Sequence, residues 1–264
     1  MNQHCAVLLL LVFGLAPLYA ESVETAVTAN PVALRSVPSS PVFFLDTFED
    51  GDHLKNPTWW SFGNLNLSVG YNTSSVGTSF VQKRSLVFRG DASRFMGGVG
   101  MYYPMDISSY GGLRLVLWGN GPESGHLQVQ LFDDDNGNFV VDMFSDMKNT
   151  PSKDDKWLHT LRIDWQGWRE VVIPFSEFHD GNPGIGDGVW NPNREKNSGG
   201  FLQLQLVAMA VNMAAPVFFK LDSLGFVRPD ALPEETMPSG DILEEPSFHE
   251  NIDKVVVPMD ANTF

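Results

Sequence analysis

From Val42 to Val227 the apolar residues arrive in short runs, many of which alternate with polar residues, and Gly, Asn, Asp or Pro bounds nearly every run. A side-chain period of two is the signature of a strand with one buried face, and the bounding residues are turn formers. Strands are predicted over Val42 to Asp46, Ser85 to Arg89, Gly98 to Tyr103, Leu113 to Trp118 and Leu127 to Phe132. Further ones are predicted over Phe139 to Phe144, Trp157 to Asp164, Glu170 to Pro174, Phe201 to Val211 and Val217 to Val227. No stretch carries an uncontested helical period over three turns. The expected fold is all-β, an antiparallel β-sandwich or jelly roll.

The phase of the alternation says which side chains share a face. Leu113, Leu115 and Leu117 oppose Arg114, Val116 and Trp118; Leu127, Val129 and Leu131 oppose His126, Gln128, Gln130 and Phe132; Leu202, Leu204 and Leu206 oppose Gln203 and Gln205. One sheet is therefore expected to have an apolar inner face and an outer face bearing Gln, Arg, His and Trp. Such a face is either the solvated side of a sheet or a platform for a sugar. Amide groups donate and accept hydrogen bonds at once, as hydroxyls do, and rings offer a flat apolar surface to a pyranose.

With 264 residues, one core domain plus tails is expected, over residues 41–228. Residues 1–20 hold an apolar run from Ala6 to Pro17 and end on small or aromatic residues, which reads as a signal peptide, although Lys and Arg are missing from it and Leu18 is large for its place. That run is shorter than the roughly 20 apolar residues a membrane-spanning helix needs, so no span is expected once the leader is cleaved. Export to the periplasm or beyond follows. Cys5 is the only cysteine, so the mature chain has no disulfide and no thiol nucleophile. Residues 21–40 read as a linker. Residues 229–264, Pro-punctuated and strongly acidic, read as a mostly disordered tail. A net charge of −15 repels nucleic acid and anionic lipid.

Four segments, LDTFEDGDHLKNPTWW (45–60), LQVQLFDDDNGNFVV (127–141), LRIDWQGWREVVIPFSEF (161–178) and VFFKLDSLGFV (217–227), occur in that order. Together they resemble the galactose-binding-like jelly rolls, in particular family 11 carbohydrate-binding modules and the related complex I intermediate-associated proteins. The resemblance covers nearly all of residues 41–228. It implies a structural calcium ion joining the first strand to the last. In one branch it implies β-glucan recognition without catalysis, and in the other a protein-assembly role.

Candidate sites follow. Asp46, Glu49, Asp50 and Asp52 leave the first strand and Asp222 lies in the last; calcium takes six to eight oxygens, which makes Asp46, Glu49 and Asp222 its candidate ligands, and the resemblance puts Glu49 and Asp222 foremost. The competing reading is an acidic turn. The run Asp133-Asp134-Asp135-Asn136-Gly137-Asn138 fails the EF-hand pattern and reads as a hairpin turn at Asn136-Gly137. Arg162 and Asp164 share a strand face with Thr160 and, with Trp165, either clamp sugar hydroxyls or form a surface ion pair. Trp168 reads as core. Trp190, in the long polar loop of residues 179–200, is either a stacking anchor or a lid on a sandwich edge.

The binding set expected for a polysaccharide or oligosaccharide is thus Arg162, Asp164, Trp165, Gln128, Gln130, Gln203, Gln205, Trp118 and Trp190. Another envelope protein is the alternative partner. No motif of nucleophilic, metal-hydrolytic or phosphate chemistry is present, and a non-enzyme is expected.

Overall fold

The computed structural model describes residues 41–72, 80–91, 96–143, 151–195, 198–212 and 215–232. The expected leader, the linker and the acidic tail beyond Leu232 lie outside them. Among the described residues, twelve strands form two antiparallel six-stranded sheets packed as a sandwich. The first sheet contains β3 (Asn66–Tyr71), β4 (Arg84–Gly90), β12 (Val217–Val227), β6 (Gly112–Asn120) and β9 (Gln166–Pro174) in that order, and β1 (Val42–Asp46) pairs with β12. The second runs β10 (His179–Asp180), β8 (Asp155–Ile163), β7 (Gly125–Asp134), β11 (Gly200–Met209), β5 (Met96–Met105) and β2 (Trp60–Gly63). The expected all-β sandwich is what forms. Among the described residues no helix is long and apolar enough to cross a membrane.

The core lies where the leucine phases meet. Leu113, Leu115 and Leu117 of β6 and Leu127, Val129 and Leu131 of β7 are fully buried, as are Leu204 and Leu206. Phe88 and Phe219 stack at 4.7 Å, and Phe226 packs edge-on against Phe201 and Phe175. Each such ring removed from water contributes roughly 1.5–3 kcal/mol.

The inward phase is not unbroken. In β12, Leu221 faces Leu117 and Ser223 faces Val116, so Asp222 is an extra residue in a bulge. The bulge lets Phe219 and Leu221 before it and Leu224 and Phe226 after it all point inward. Leu202 occupies the corresponding bulge in β11, so the phase read through Leu202, Leu204 and Leu206 shifts by one residue there.

Two sequence expectations are corrected. Residues 139–143 form no strand beyond an isolated bridge from Met143 to Pro151, with Phe144, the end of that expected strand, outside the described residues; and Asn136-Gly137 is not the tip of a tight hairpin, because β7 pairs with β8 at Asp133↔Asp155, so the chain makes an excursion from 135 to 154 between them. Buried Asp134 accepts the amides of Asn136, Gly137 and Phe139 at the start of that excursion, and buried Asp154 that of Asp142, in place of cross-strand pairing. The short edge strands β2 and β3, which lack a run of apolar residues, went unpredicted.

The turn after β1 is fastened by a carboxylate. Asp46, buried, accepts from the Phe48 amide at 2.7 Å and from the indole Nε1 of fully buried Trp59 at 2.7 Å. Replacing Trp59 by Phe keeps the ring and deletes the donor, which costs about 2 kcal/mol. In thermal unfolding followed by circular dichroism, Trp59→Phe is expected to melt roughly 4–8 °C lower; a change within 1 °C would show that this contact holds nothing.

Candidate functional site

The outer face of the second sheet carries a polar strip whose rows follow from register. Trp60 faces Gly100, Gly100 faces Gln205, Gln205 faces Gln130 and Gln130 faces Leu158. A second row runs through Val207, Gln128 and Thr160, and a third through Tyr102, Gln203 and Phe132. All four predicted glutamines therefore lie on one face. Gln130 Nε2 donates to Gln128 Oε1 at 2.7 Å and Gln128 Nε2 to Thr160 Oγ1 at 3.4 Å, a chain of amides across β7 and β8. Gln128 and Gln203 are buried at the floor, Gln130 and Gln205 half-buried. Gln203 Nε2 is buried without a hydrogen-bond partner.

Aromatic rings flank the amides, and sequence reading did not place them. Trp60 is half-buried, and its ring lies across β5 because Gly100 has no side chain: a Cβ there would meet Trp60 Cζ2 at 2.4 Å. Tyr102 is 45% exposed on the same face, and its hydroxyl donates to the Phe139 carbonyl. The glycine spacing Gly98-x-Gly100 opposite an edge-strand Trp is the signal that could have found them. His126 faces Arg162 across β7 and β8; burial, then the Arg162 charge, holds its imidazole below the usual range.

The other predicted contacts separate. Trp118 projects from the outer face of the first sheet, edge-on to Phe218 and under Lys220, and belongs to the opposite side of the sandwich. It cannot join the glutamines. Trp168, expected in the core, faces Trp118 across β6 and β9 on that same outer face. Trp165 is 7% exposed within the core, where β8 crosses to β9, and Arg169 covers it at 4.9 Å. Trp190 packs against Trp157 and Phe175 and caps the sandwich edge instead of standing free. Arg162 and Asp164 pair with each other at 3.6 Å, 61% and 50% exposed.

The first predicted metal ligands stand as follows. Asp222 is fully buried; its Oδ2 accepts from the Asn72 side chain and the Gln82 amide, both at 2.8 Å, while its Oδ1 has no partner. Glu49 accepts the Arg84 amide at 2.7 Å with one oxygen, and its charge bears on Asp222. Burial pushes the Asp222 carboxyl up to about 6 despite those donors, and Glu49 adds to the rise. An orphaned buried oxygen on which a second carboxylate's charge bears fits a divalent cation. Asp46 does not join them in a cluster of three convergent carboxylates among the described residues; its two oxygens accept from Phe48 and Trp59.

No protein-family model matches the chain, and no curated protein does. Solved structures do. A family 11 carbohydrate-binding module from Clostridium thermocellum, in complex with a β-1,3-1,4-mixed-linked tetrasaccharide, is 14% identical over 71% of this chain and 95% of its own, with a TM-score of 0.45. The chain is similar to these modules. The C-terminal family 22 module of a Clostridium thermocellum protein is 12% identical over 74% of this chain and 100% of its own, with a TM-score of 0.37. An exo-β-agarase is 13% identical over 75% of this chain and 26% of its own, with a TM-score of 0.47.

Because Arg162 and Asp164 are solvated, their ion pair contributes under about 1 kcal/mol. Chemical denaturation of Arg162→Ala should place its unfolding free energy within that margin of the parent; a larger loss would show the pair to be structural.

Proposed function

We propose that the outer face of the second sheet binds a polysaccharide or oligosaccharide without catalysis. The observation that carries this reading is the row Trp60–Gly100–Gln205–Gln130, with Gln130 hydrogen-bonded onward to Gln128. A ring lying flat beside amides that both donate and accept is what a pyranose presents a match for, through its C–H face and its equatorial hydroxyls. A β-glucan chain is the proposed ligand, since an extended chain with flat rings follows a strip that crosses several strands. Of the sequence-predicted residues, Gln128, Gln130, Gln203, Gln205 and Arg162 share this face; Trp60 and Tyr102 take the aromatic role first given to Trp118, Trp165 and Trp190. The face is open, so binding in the millimolar to micromolar range is expected.

Glu49 and Asp222 are proposed to hold a structural calcium ion. It would neutralise a buried carboxylate where β1 and β4 meet on the same side of β12. The protein is proposed to act outside the cytoplasm, as the apolar leader implies. Catalysis is not part of this reading.

Isothermal titration against soluble β-glucans and other polysaccharides tests the binding face. Gln130→Ala and Gln205→Ala are each expected to weaken binding roughly fivefold, the worth of about one hydrogen bond, while Trp118→Ala on the opposite sheet leaves it unchanged. Absence of heat with every polysaccharide ends the proposal, and a loss with Trp118→Ala equal to that of Gln205→Ala moves the site elsewhere. For the metal, Asp222→Asn should abolish a calcium-dependent part of the melting temperature; a chelator-treated parent that melts at the same temperature with and without calcium would refute it.

A further inference from the structure

A second set of acids gathers where the chain leaves β7, enters β8 and runs on past β10. Asp135 stands just past the end of β7, Asp155 opens β8, and Asp187 lies in the loop after β10. One carboxylate oxygen from each lies within 4.8 Å of the others. Asp155 is fully buried. Its Oδ2 accepts from the Gly188 amide at 2.8 Å and the Val189 amide at 3.2 Å, yet its Oδ1 is buried with no partner. Asp135 uses Oδ2 to accept the Asp155 amide at 2.8 Å, and its Oδ1 is likewise buried and unpartnered.

Two oxygens converge on one point beside Gly186. A Cβ at that glycine would sit 2.1 Å from Asp155 Oδ1 and 2.3 Å from Asp135 Oδ2. Gly186 has φ +72°, so the loop here uses a conformation glycine accepts freely, and the missing side chain leaves both oxygens room. Next to them, Asn191 donates from Nδ2 to Asp187 Oδ2 at 3.1 Å while its own Oδ1 is buried without a donor. Three acceptors in one small region thus lack a donor, and buried acceptors are rarely left so.

We propose that Asp135, Asp155 and Asp187 bind a calcium ion that ties the ends of β7 and β8 to the loop after β10. Acceptors alone, all oxygen, with carboxylates of three chain segments and uneven exposure, suit a large hard cation of flexible coordination better than magnesium, which demands a near-ideal octahedron. The carboxylates that act on Asp135 are Asp155, Asp187 and Asp154, so its neighbours repel its charge. A divalent ion replaces that repulsion by attraction and supplies what the orphaned oxygens lack. The same loop carries Trp190 over the sandwich edge and Arg194 over Phe139, whose carbonyl accepts from Tyr102. Ordering it would fix the margin of the face on which Tyr102 lies.

Calcium titration of the chelator-treated full chain by isothermal calorimetry decides the matter, with Asp187→Asn, Asp135→Asn and Asp155→Asn compared with the parent. Asp187 is exposed, so its variant keeps the fold. One binding event is expected to weaken at least roughly tenfold in Asp187→Asn and to vanish in Asp155→Asn. Without calcium, Asp155→Asn should melt no lower than the parent, because it removes an unmatched charge while leaving an oxygen for Gly188 and Val189. Should Asp155→Asn fail to fold, Asp187→Asn and Asp135→Asn carry the decision. Isotherms that superimpose on the parent's overturn the proposal, as does magnesium giving the same isotherm as calcium. The event assigned to Glu49 and Asp222 persists in all three variants, so failure of one site is told apart from failure of the other.

Discussion

Strand β12 must keep its apolar residues inward along its whole length while pairing with three neighbours, and most of the sandwich depends on how it does so. It faces β6 along one edge and, along the other, β4 through Val217–Leu221 and β1 through Leu224–Val227. Its sequence does not alternate strictly. Inserting Asp222 as a bulge resets the phase, so that Phe219, Leu221, Leu224 and Phe226 all enter the core. Without the bulge, the last two would turn to solvent and the β1 pairing would lose its apolar footing. The inserted residue lands at the gap between β4 and β1, where its carboxylate gathers the Asn72 and Gln82 donors. A packing requirement has thereby produced a candidate metal position.

Carboxylates do elsewhere what strand pairing does in the sheets. Asp133, Asp134, Asp154 and Asp155 are all fully buried where loops leave the second sheet. Asp134 alone accepts the amides of Asn136, Gly137 and Phe139, and Asp133 accepts from Trp157 Nε1 and the Asn191 amide. These bonds satisfy loop amides that have no ladder partner. The cost is desolvated charge: burial pushes the Asp133 carboxyl up to about 8 and that of Asp135 up to about 7, in both cases helped by neighbouring acids. Acids that organise loops and acids with an orphaned oxygen are neighbours in one structure: Asp133 and Asp134 have a donor on each oxygen, whereas Asp135 and Asp155 each leave Oδ1 without one.

Much of the fold was legible because alternation is a local property. Val42–Asp46 and Val217–Val227 occupy the spans read from sequence, and the leucine faces of β6 and β7 point inward as expected. The same logic gathered Gln128, Gln130, Gln203 and Gln205 onto one face. It failed for the excursion from 135 to 154, where Asn-Gly chemistry promises a tight turn but Asp134 takes up the amides of Gly137 and Phe139, and Asp154, twelve residues on, takes up that of Asp142. It failed for Trp118 as well, since alternation says only that a residue faces outward.

What the sequence by itself determined is therefore the all-β class, the inward and outward sides of β6 and β7, and the polar chemistry of the amides, all of which follow from residues two apart. Only the tertiary structure decided which sheet each strand joined. That choice parted Trp118 from the glutamines, buried Trp165, turned Trp190 onto an aromatic edge, brought Trp60 over Gly100, and set Asp135, Asp155 and Asp187 around one point. The reason is physical: these arrangements are fixed by contacts between segments remote in sequence, chosen by how the whole apolar surface is buried, and no local period records that choice.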